Sequence, residues 1–270
     1  MKKNNKKQNA TKNTKNANDT KNINDTSNLK ILRVQDPKDF KVKPLHENLP
    51  QLPALVLMIS PVKTGKSTII SNLLLNESFY GPDFFENVHI ISNTINNDLT
   101  SRFLAERFDV EDNYNDEMII NLLETQKSYE KKDQPEIAIF LDDVLGSLKK
   151  TAEINMLATR FRHYNIKMLL FSTQVFRQVS NIIRGNCTNL IIGSPFPNRK
   201  ELLKIAEEYG DLVDGVDNFL KIYKKATPER YCFLHMAIQD NPVKCYKNFE
   251  ELIAVGGNIV GEVPDISEFE

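Results

Sequence analysis

The sequence predicts an α/β fold in which a mostly parallel sheet has helices on both faces. Short apolar runs of strand length alternate along the chain with segments whose apolar residues recur at helical spacing. The runs at 54–59 and 137–141 are apolar throughout, which is typical of parallel strands that are buried on both faces. An apolar fraction of 40% in 270 residues is sufficient for a substantial core.

The elements are predicted in order from these two periodicities. Apolar runs predict strands within 54–59, 87–94, 136–147, 166–174, 189–194 and 230–238. Helical spacing predicts helices within 67–75, 115–132, 155–164, 179–183, 198–208 and 215–225. The helix near residue 160 illustrates the pattern, because its apolar residues follow the i, i+3, i+4, i+7 spacing of a core-facing stripe: Ile154, Leu157, Ala158 and Phe161.

The first strand leads into the stretch SPVKTGKST, residues 60–68. Its spacing is that of the P-loop, Gly-x-x-x-x-Gly-Lys-Ser/Thr, in which backbone N–H groups surround phosphate oxygens at a helix N-terminus. Lys66 then reaches the β- and γ-phosphates, and the Ser67 hydroxyl ligates Mg²⁺. We therefore predict ATP and Mg²⁺ as ligands. The predicted nucleotide-binding residues are Ser60, Pro61, Val62, Lys63, Thr64, Gly65, Lys66, Ser67 and Thr68.

Ser60 stands where such loops usually begin with glycine. The usual glycine allows the chain to leave the strand in a conformation that a Cβ resists. Pro61 biases the residue before it toward extended geometry, which the end of a strand already has. We therefore interpret Ser60 as compatible with the loop.

Polar residues at two further strand ends are candidates for catalysis, because ligands of open α/β sheets bind beyond the carboxyl ends of the strands. Asp142 and Asp143 follow an apolar run about 75 residues after the P-loop, the Walker B arrangement. We predict that Asp142 holds Mg²⁺ through water and that Asp143 orients the attacking water. Gln174 ends the next strand, where a neutral amide can sense the γ-phosphate. The alternative interpretation of Asp142 and Asp143 is that they only cap a helix or a turn.

Two arginines are candidates for a group that completes the site of a neighbouring subunit, as phosphoryl transfer in assembled NTPases often requires. Arg162 lies beside the apolar stripe of its helix, and Arg184 lies at the end of a short helix in the stretch IIRGN. For Arg162, the alternative is that it lies on a solvated edge of its helix and has no catalytic role. For Arg184, the alternative is that its side chain binds the last backbone carbonyl groups of its own helix.

The composition predicts three segments: a disordered tail at 1–35, an ATPase domain at 36–255 and an acidic, mobile C-terminus at 256–270. Residues 1–30 contain eight Lys and two Asp, so the other 240 residues carry a net charge of −7. The tail is built from Asn, Lys and Thr and has no apolar run that it could bury. Its lysines suit a contact with nucleic acid, and a solvated extension without a partner explains them equally well.

No signal peptide or membrane span is predicted, because no apolar region follows the N-terminal charges and no stretch of about 18 apolar residues occurs. The cysteines Cys187, Cys232 and Cys245 are odd in number and widely spaced, which fits neither a disulfide framework nor a zinc site. We therefore expect a soluble protein made in a reducing compartment.

The order of these motifs resembles that of the genome-packaging ATPases of poxviruses and giant DNA viruses, a branch of the FtsK–HerA superfamily of ring-forming DNA pumps. The resemblance covers roughly residues 50–250 and rests on the P-loop, the Asp-Asp strand, RHYNI before a strand, STQ at its end and IIRGN after it. It implies a RecA-like domain in a homo-oligomeric ring. It also implies an ATP hydrolase that drives double-stranded DNA, without sequence specificity, into a preformed capsid.

The same resemblance implies roles, partners and a location. The implied catalytic residues are Asp143, Gln174 and Arg162, which would act on the site of a neighbouring subunit as an arginine finger; Arg184 is the alternative finger. The implied metal ligands are Ser67 and Asp142. Capsid or vertex proteins are the implied partners, and the host cytoplasm (virus factory) or the virion is the implied location. The chain departs from the superfamily at Ser60 and at Asp143, where many relatives have glycine and glutamate.

Other functions share a P-loop. A nucleotide-type kinase needs an arginine-rich lid, and an ABC-type ATPase needs a Ser-Gly-Gly-Gln signature; neither is present. A non-hydrolysing assembly protein that uses ATP as a structural ligand stays open because of Ser60 and Asp143. The acidic body lacks the basic face of many DNA-binding proteins. Lys149 and Lys150 are candidates for contact with DNA phosphates, and a solvated loop is their alternative.

Overall fold

The computed structural model describes residues 46–93, 102–146, 152–196 and 198–269. The strands are β1 Ala54–Ile59, β2 Asn87–Ser92, β3 Asp109–Glu111, β4 Ile137–Asp142, β5 Ile166–Thr173, β6 Asn189–Gly193, β7 Phe233–Ala237, β8 Lys244–Lys247, β9 Glu251–Val255 and β10 Asn258–Ile259. The helices are α1 Lys66–Leu75, α2 Arg102–Ala105, α3 Asp116–Ser128, α4 Ala152–Arg160, α5 Asn181–Asn186, α6 Arg199–Tyr209 and α7 Val216–Ala226.

The strands of the described residues form one sheet in the order β10-β9-β8-β7-β6-β1-β5-β4-β2-β3. The six strands β1 to β6 are mutually parallel, and β7 to β10 extend the sheet in antiparallel fashion. The predicted mostly parallel sheet is therefore confirmed. Because β7 runs against β6, Phe233 at its start pairs with Gly193 at the end of β6. The segment before β7 thus reaches the same sheet edge as the ends of the parallel strands.

Helices cover both faces of this sheet, as predicted. Alternate residues of β1 enter two separate clusters: Leu55, Leu57 and Ile59 on one face, and Ala54, Val56 and Met58 on the other. The first cluster includes residues of α3 to α7, and the second includes residues of α1 and α2. All six residues of β1 are fully buried, which explains why the run is apolar at every position.

Several elements differ from the sequence prediction. The short strand β3 and the three strands β8 to β10 were not predicted, because each is only two to five residues long. The helix predicted at 155–164 consists of α4 and a following 3₁₀ turn, Phe161–Tyr164. That turn ends where Asn165 adopts a φ of 55°.

The C-terminal residues that the structure describes contact α7. Lys224 Nζ donates to the Asp265 carbonyl and Lys225 Nζ to the Glu262 carbonyl, each at 2.7 Å, and Ile266 and Phe269 pack against the larger core cluster. The mobility and the domain bounds proposed from composition stay predictions. The tail at 1–35 and the pair Lys149 and Lys150 lie outside the described residues.

Cys187, Cys232 and Cys245 are all buried, and none forms a disulfide. None of the helices in the described ranges combines the length and apolar character needed to cross a membrane.

Candidate functional site

The loop between β1 and α1 leaves the sheet at the carboxyl ends of the parallel strands. Gly65 has a φ of 98° and is the N-cap of α1, so this position requires a residue that tolerates the left-handed region. Lys63 also has a positive φ, 59°. The helix begins directly with Lys66, and its first N–H groups have no partner within the helix. A helix that starts in this way is suited to bind an anion.

Ser60 fits into this loop because residue 193 has no side chain. A Cβ placed on Gly193, at the end of β6, would lie 1.9 Å from Ser60 Oγ and 2.8 Å from Ser60 Cβ. The buried Ser60 hydroxyl is hydrogen-bonded to the Thr64 hydroxyl, and Thr64 donates to the Pro61 carbonyl at 2.6 Å. Ser60 thus stabilises the loop through contacts within it.

The remaining predicted loop residues differ in exposure. Val62 is 62% exposed and Lys63 is exposed, whereas Pro61, Ser67 and Thr68 are half-buried. Ser67 lies in the first turn of α1. A hydroxyl at this position, together with the carboxylate of Asp142, supplies the oxygen ligands that Mg²⁺ prefers. These residues fit the predicted metal.

Asp142 is held by hydroxyl groups from the strands on either side of β4. Register aligns Ser92 of β2, Asp142 of β4 and Ser172 of β5. Ser92 Oγ donates to one carboxylate oxygen at 2.9 Å, and Ser172 Oγ donates to the other. Burial raises the pKa of Asp142, the Ser172 hydrogen bond opposes this shift, and the neighbouring charge of Asp143 adds to it. The two serines therefore fix the orientation of the carboxylate and favour its charged form.

Asp143 leaves the strand with a φ of 52°, a conformation that aspartate tolerates better than most residues. Its Oδ2 atom lies 3.2 Å from Lys66 Nζ and accepts a hydrogen bond of 2.9 Å from Gln174 Nε2. Lys66 Nζ also donates to the Ser60 carbonyl at 3.1 Å. Three residues predicted from separate strand ends thus meet at one carboxylate oxygen.

The structure does not bring the two arginines to this oxygen. Arg162 lies in the 3₁₀ turn that precedes β5, toward the amino end of that strand, whereas Lys66 lies beyond the carboxyl ends. Arg162 is exposed, and its guanidinium lies 5.4 Å from the ring centroid of Phe161. Arg184 donates to Glu208 at 2.8 Å and lies over the Phe176 ring.

Four residues that contact the site were not predicted from the sequence. Ser92 and Ser172 hold Asp142, and the only signal for them was a hydroxyl residue at the end of each neighbouring strand. Arg230 and Tyr231 come from the segment before β7. Arg230 Nη2 donates to the Lys63 carbonyl at 3.4 Å, and a Cβ placed on Gly65 would lie 3.8 Å from Tyr231 Cδ1.

No family model matches the chain, and no curated protein sequence matches it. The fold, however, is similar to that of B204, the DNA-packaging ATPase from Sulfolobus turreted icosahedral virus. The TM-score is 0.52 at 17% identity, and the match covers 74% of this chain and 98% of that chain. The chain has the fold of a P-loop NTPase.

A second structure of this fold class gives the same result. The genome-packaging NTPase B204 from Sulfolobus turreted icosahedral virus 2, in complex with sulfate, matches with a TM-score of 0.51 and 19% identity. That match covers 74% of this chain and 97% of the other. The AMP complex of the same NTPase matches with a TM-score of 0.50 and 19% identity, over 74% of this chain and 98% of that one. Both B204 proteins are spanned almost entirely, so the likeness concerns a whole NTPase fold and not a fragment.

Proposed function

We propose that this protein is an ATP hydrolase that drives double-stranded viral DNA into a capsid. The observation that carries the proposal is the convergence of Lys66 and Gln174 on the carboxylate of Asp143, beside a second, fixed carboxylate at Asp142. A P-loop lysine, two acidic residues and a polar sensor are the groups that phosphoanhydride hydrolysis needs. The fold shared with two viral packaging NTPases supports the same conclusion.

Each group has a distinct role in this proposal. The loop N–H groups and Lys66 bind the phosphates, so the Lys66 ammonium exchanges its contact with Asp143 for a contact with phosphate oxygen. Mg²⁺, when bound, neutralises phosphate charge, and Ser67 and Asp142 hold it. Asp143 then accepts a hydrogen bond from the attacking water. Gln174, which donates to Asp143 at 2.9 Å, keeps that carboxylate oriented.

The proposed motor is a homo-oligomeric ring. Arg162 is exposed and lies away from the P-loop of its own chain, which is the arrangement that a finger acting on a neighbouring subunit requires. Arg184 is the alternative finger, although Glu208 already binds it within the chain. The ring contacts DNA through phosphates and not through base edges. Capsid or vertex proteins are its other partners, and it acts in the host cytoplasm or in the virion.

A translocation assay tests the proposal. ATP hydrolysis should rise when linear duplex DNA is added, and the protein should displace a triplex-forming strand from one end of that duplex. Asp143→Asn should do neither, which excludes a contaminating ATPase. Phosphate that is transferred to a small acceptor would identify a kinase instead. ATP binding without any phosphate release, with or without DNA, would favour a non-hydrolysing assembly protein.

A further inference from the structure

Tyr231 places an exposed aromatic ring against the phosphate loop. The residue is 59% exposed, yet its Cδ1 atom lies within van der Waals range of the space beside Gly65. A tyrosine ring is a large, rigid apolar surface with a polar tip. Beside the predicted phosphate site, this exposed ring offers a surface on which a planar ligand can stack.

The backbone of Tyr231 supports a specific placement. Its φ is 73°, a left-handed conformation that is rare for bulky residues. Strain of this kind is concentrated at ligand sites, where the surrounding structure holds a side chain in a required position. Here the following residues begin β7, and Phe233 pairs with Gly193 of β6. The strained turn directs the ring toward the loop instead of away from it.

Arg230 occupies one face of the ring. Its guanidinium carbon lies 5.0 Å from the centroid of Tyr231, and its Nη2 atom donates to the carbonyl of Lys63. This contact ties the ring to the phosphate loop, and the 59% exposure of Tyr231 leaves aromatic surface that a planar ligand can cover. A flat ligand would thus complete a three-layer stack of guanidinium, phenol and base.

The strand order separates this ring from the catalytic carboxylates. Strand β5, which Gln174 follows, and strand β4, which ends in Asp142, lie on one side of β1, whereas β6 and β7 lie on the other. A nucleotide whose terminal phosphate is near Lys66 and Asp143 therefore has its base toward β6 and β7.

We propose that Tyr231 is the stacking platform for the nucleotide base, and that the base is a purine. This inference rests on the proposed ATP site and adds the residue that recognises the base. A purine covers more of the ring than a pyrimidine does, so stacking favours ATP and GTP over CTP and UTP. Stacking alone does not distinguish adenine from guanine, because every base has a π-face.

The chain contains no tryptophan, which provides a direct test. Tyr231→Trp introduces one indole at the proposed platform, and its fluorescence reports only on this position. ATP and GTP should quench the indole upon binding, whereas tripolyphosphate with Mg²⁺, which occupies the phosphate site without a base, should not. Equal responses to ATP and to tripolyphosphate would overturn the proposal.

The second test measures the ligand affinities of two variants of Tyr231. Tyr231→Gly removes the ring and accepts the positive φ, and Tyr231→Phe retains the ring. We expect Tyr231→Gly to weaken ATP binding by about 5- to 150-fold, the range for loss of one aromatic stack, and to leave tripolyphosphate binding unchanged. Tyr231→Phe should bind both like the wild type.

The outcomes separate this inference from the proposed function. If the wild type binds ATP and Tyr231→Gly binds it equally well, the platform is wrong and the ATP site stands. If Tyr231→Gly loses ATP and tripolyphosphate to the same extent, Tyr231 only supports the loop. If the wild type binds neither ligand, the proposed function fails together with the platform.

Discussion

Lys66 and Asp143 form an ion pair across the carboxyl edge of the sheet, with 3.2 Å between Nζ and Oδ2. The pair joins the residue that would bind phosphate to the residue that would orient water. Asp143 and a nucleotide bound at the proposed site would therefore compete for the same ammonium. Binding of the nucleotide would release the carboxylate, so the water-orienting group would become available only when the substrate is present.

Asp143→Asn should abolish hydrolysis without loss of ATP binding. The amide retains the shape but not the charge that attracts Lys66 and polarises water. We expect hydrolysis to fall by about 10²-fold or more, as for loss of other general bases. ATP affinity should equal or exceed that of the wild type. Calorimetric titration and phosphate release measure the two effects, with the exposed Asp133→Asn as the control. Wild-type turnover in Asp143→Asn would contradict the role.

Lys66→Ala should remove nucleotide binding while the fold remains intact. The ammonium is one of the cations that the phosphates would contact, and its partners Asp143 and Ser60 lie at the edge of the sheet. Titration with ATP should show no binding, and thermal unfolding should stay close to that of the wild type. Lys132→Ala, on an exposed loop, is the control. Unchanged ATP affinity in Lys66→Ala would show that the phosphates bind elsewhere.

Gly193→Ala should destabilise the protein, because the added methyl group would overlap Ser60 Oγ at 1.9 Å. Overpacking of this kind typically costs about 1–3 kcal/mol in the free energy of unfolding. Ser60→Gly removes both atoms that the methyl group would overlap and leaves only Thr64 Oγ1, at an ordinary 3.4 Å, so the double variant should regain most of the lost stability. Thermal or urea unfolding of the four proteins measures the coupling. Additive effects of the two changes would refute direct contact.

The proposed role of Arg162 can be tested by mixing two inactive proteins. A trans-acting finger contributes about 10³- to 10⁵-fold to the rate and much less to binding, so Arg162→Ala should bind ATP but not hydrolyse it. Mixing with Lys66→Ala creates interfaces that pair an intact P-loop with an intact Arg162. Activity should return in proportion to such interfaces.

Arg160→Ala, which removes an exposed arginine two residues away, is the matched control for this experiment. Normal hydrolysis by Arg162→Ala together with loss in Arg184→Ala would transfer the role to Arg184. If neither arginine affects the rate, the trans-acting mechanism is wrong for this protein.

The free energy of unfolding should depend on pH through His235. Burial lowers the pKa of this histidine from 6.5 to about 3, and its Nε2 lies 3.0 Å from Asn189 Oδ1. Between these values the unfolded chain binds a proton that the folded chain does not. Stability therefore falls as pH is lowered from 6.5, by at most about 1.4 kcal/mol per pH unit.

His235→Gln should reduce this slope in urea unfolding between pH 7 and pH 4.5, whatever its effect on stability at neutral pH. The raised pKa of Asp142 changes the free energy of unfolding with pH in the opposite direction. This contribution is the same in the wild type and in His235→Gln, so it cancels when their slopes are compared. The exposed His163→Gln should retain the wild-type slope. Identical slopes for His235→Gln and the wild type would rule out this source of the pH dependence.

The sequence identifies the parts of this site that depend on local patterns. Gly65 and Lys66 have a fixed spacing, and Asp142 follows a run that is apolar because β4 is buried on both faces. Ser92 and Ser172 lack such a pattern, since they meet Asp142 only through the strand order β2-β4-β5. That order is a property of long-range pairing and cannot be predicted from a short window.

Tyr231 and Gly193 were missed for a related reason. The strands β6 and β7 follow recognisable apolar runs, but their antiparallel pairing is a long-range contact that no local pattern indicates. Their contacts with the phosphate loop join positions far apart in the chain. A glycine that makes room for a serine, and a tyrosine with a positive φ, become recognisable only when the backbone is known.

The two ends of the sheet have a consequence for assembly. Within the described residues the outermost strands are β3 and β10, which are three and two residues long. Edges this short offer few unpaired backbone groups to another chain. Subunits of a ring would therefore join through side chains and not through a continuous sheet. In the proposed ring, such interfaces would allow small movements between subunits, because no backbone hydrogen-bond ladder would have to break.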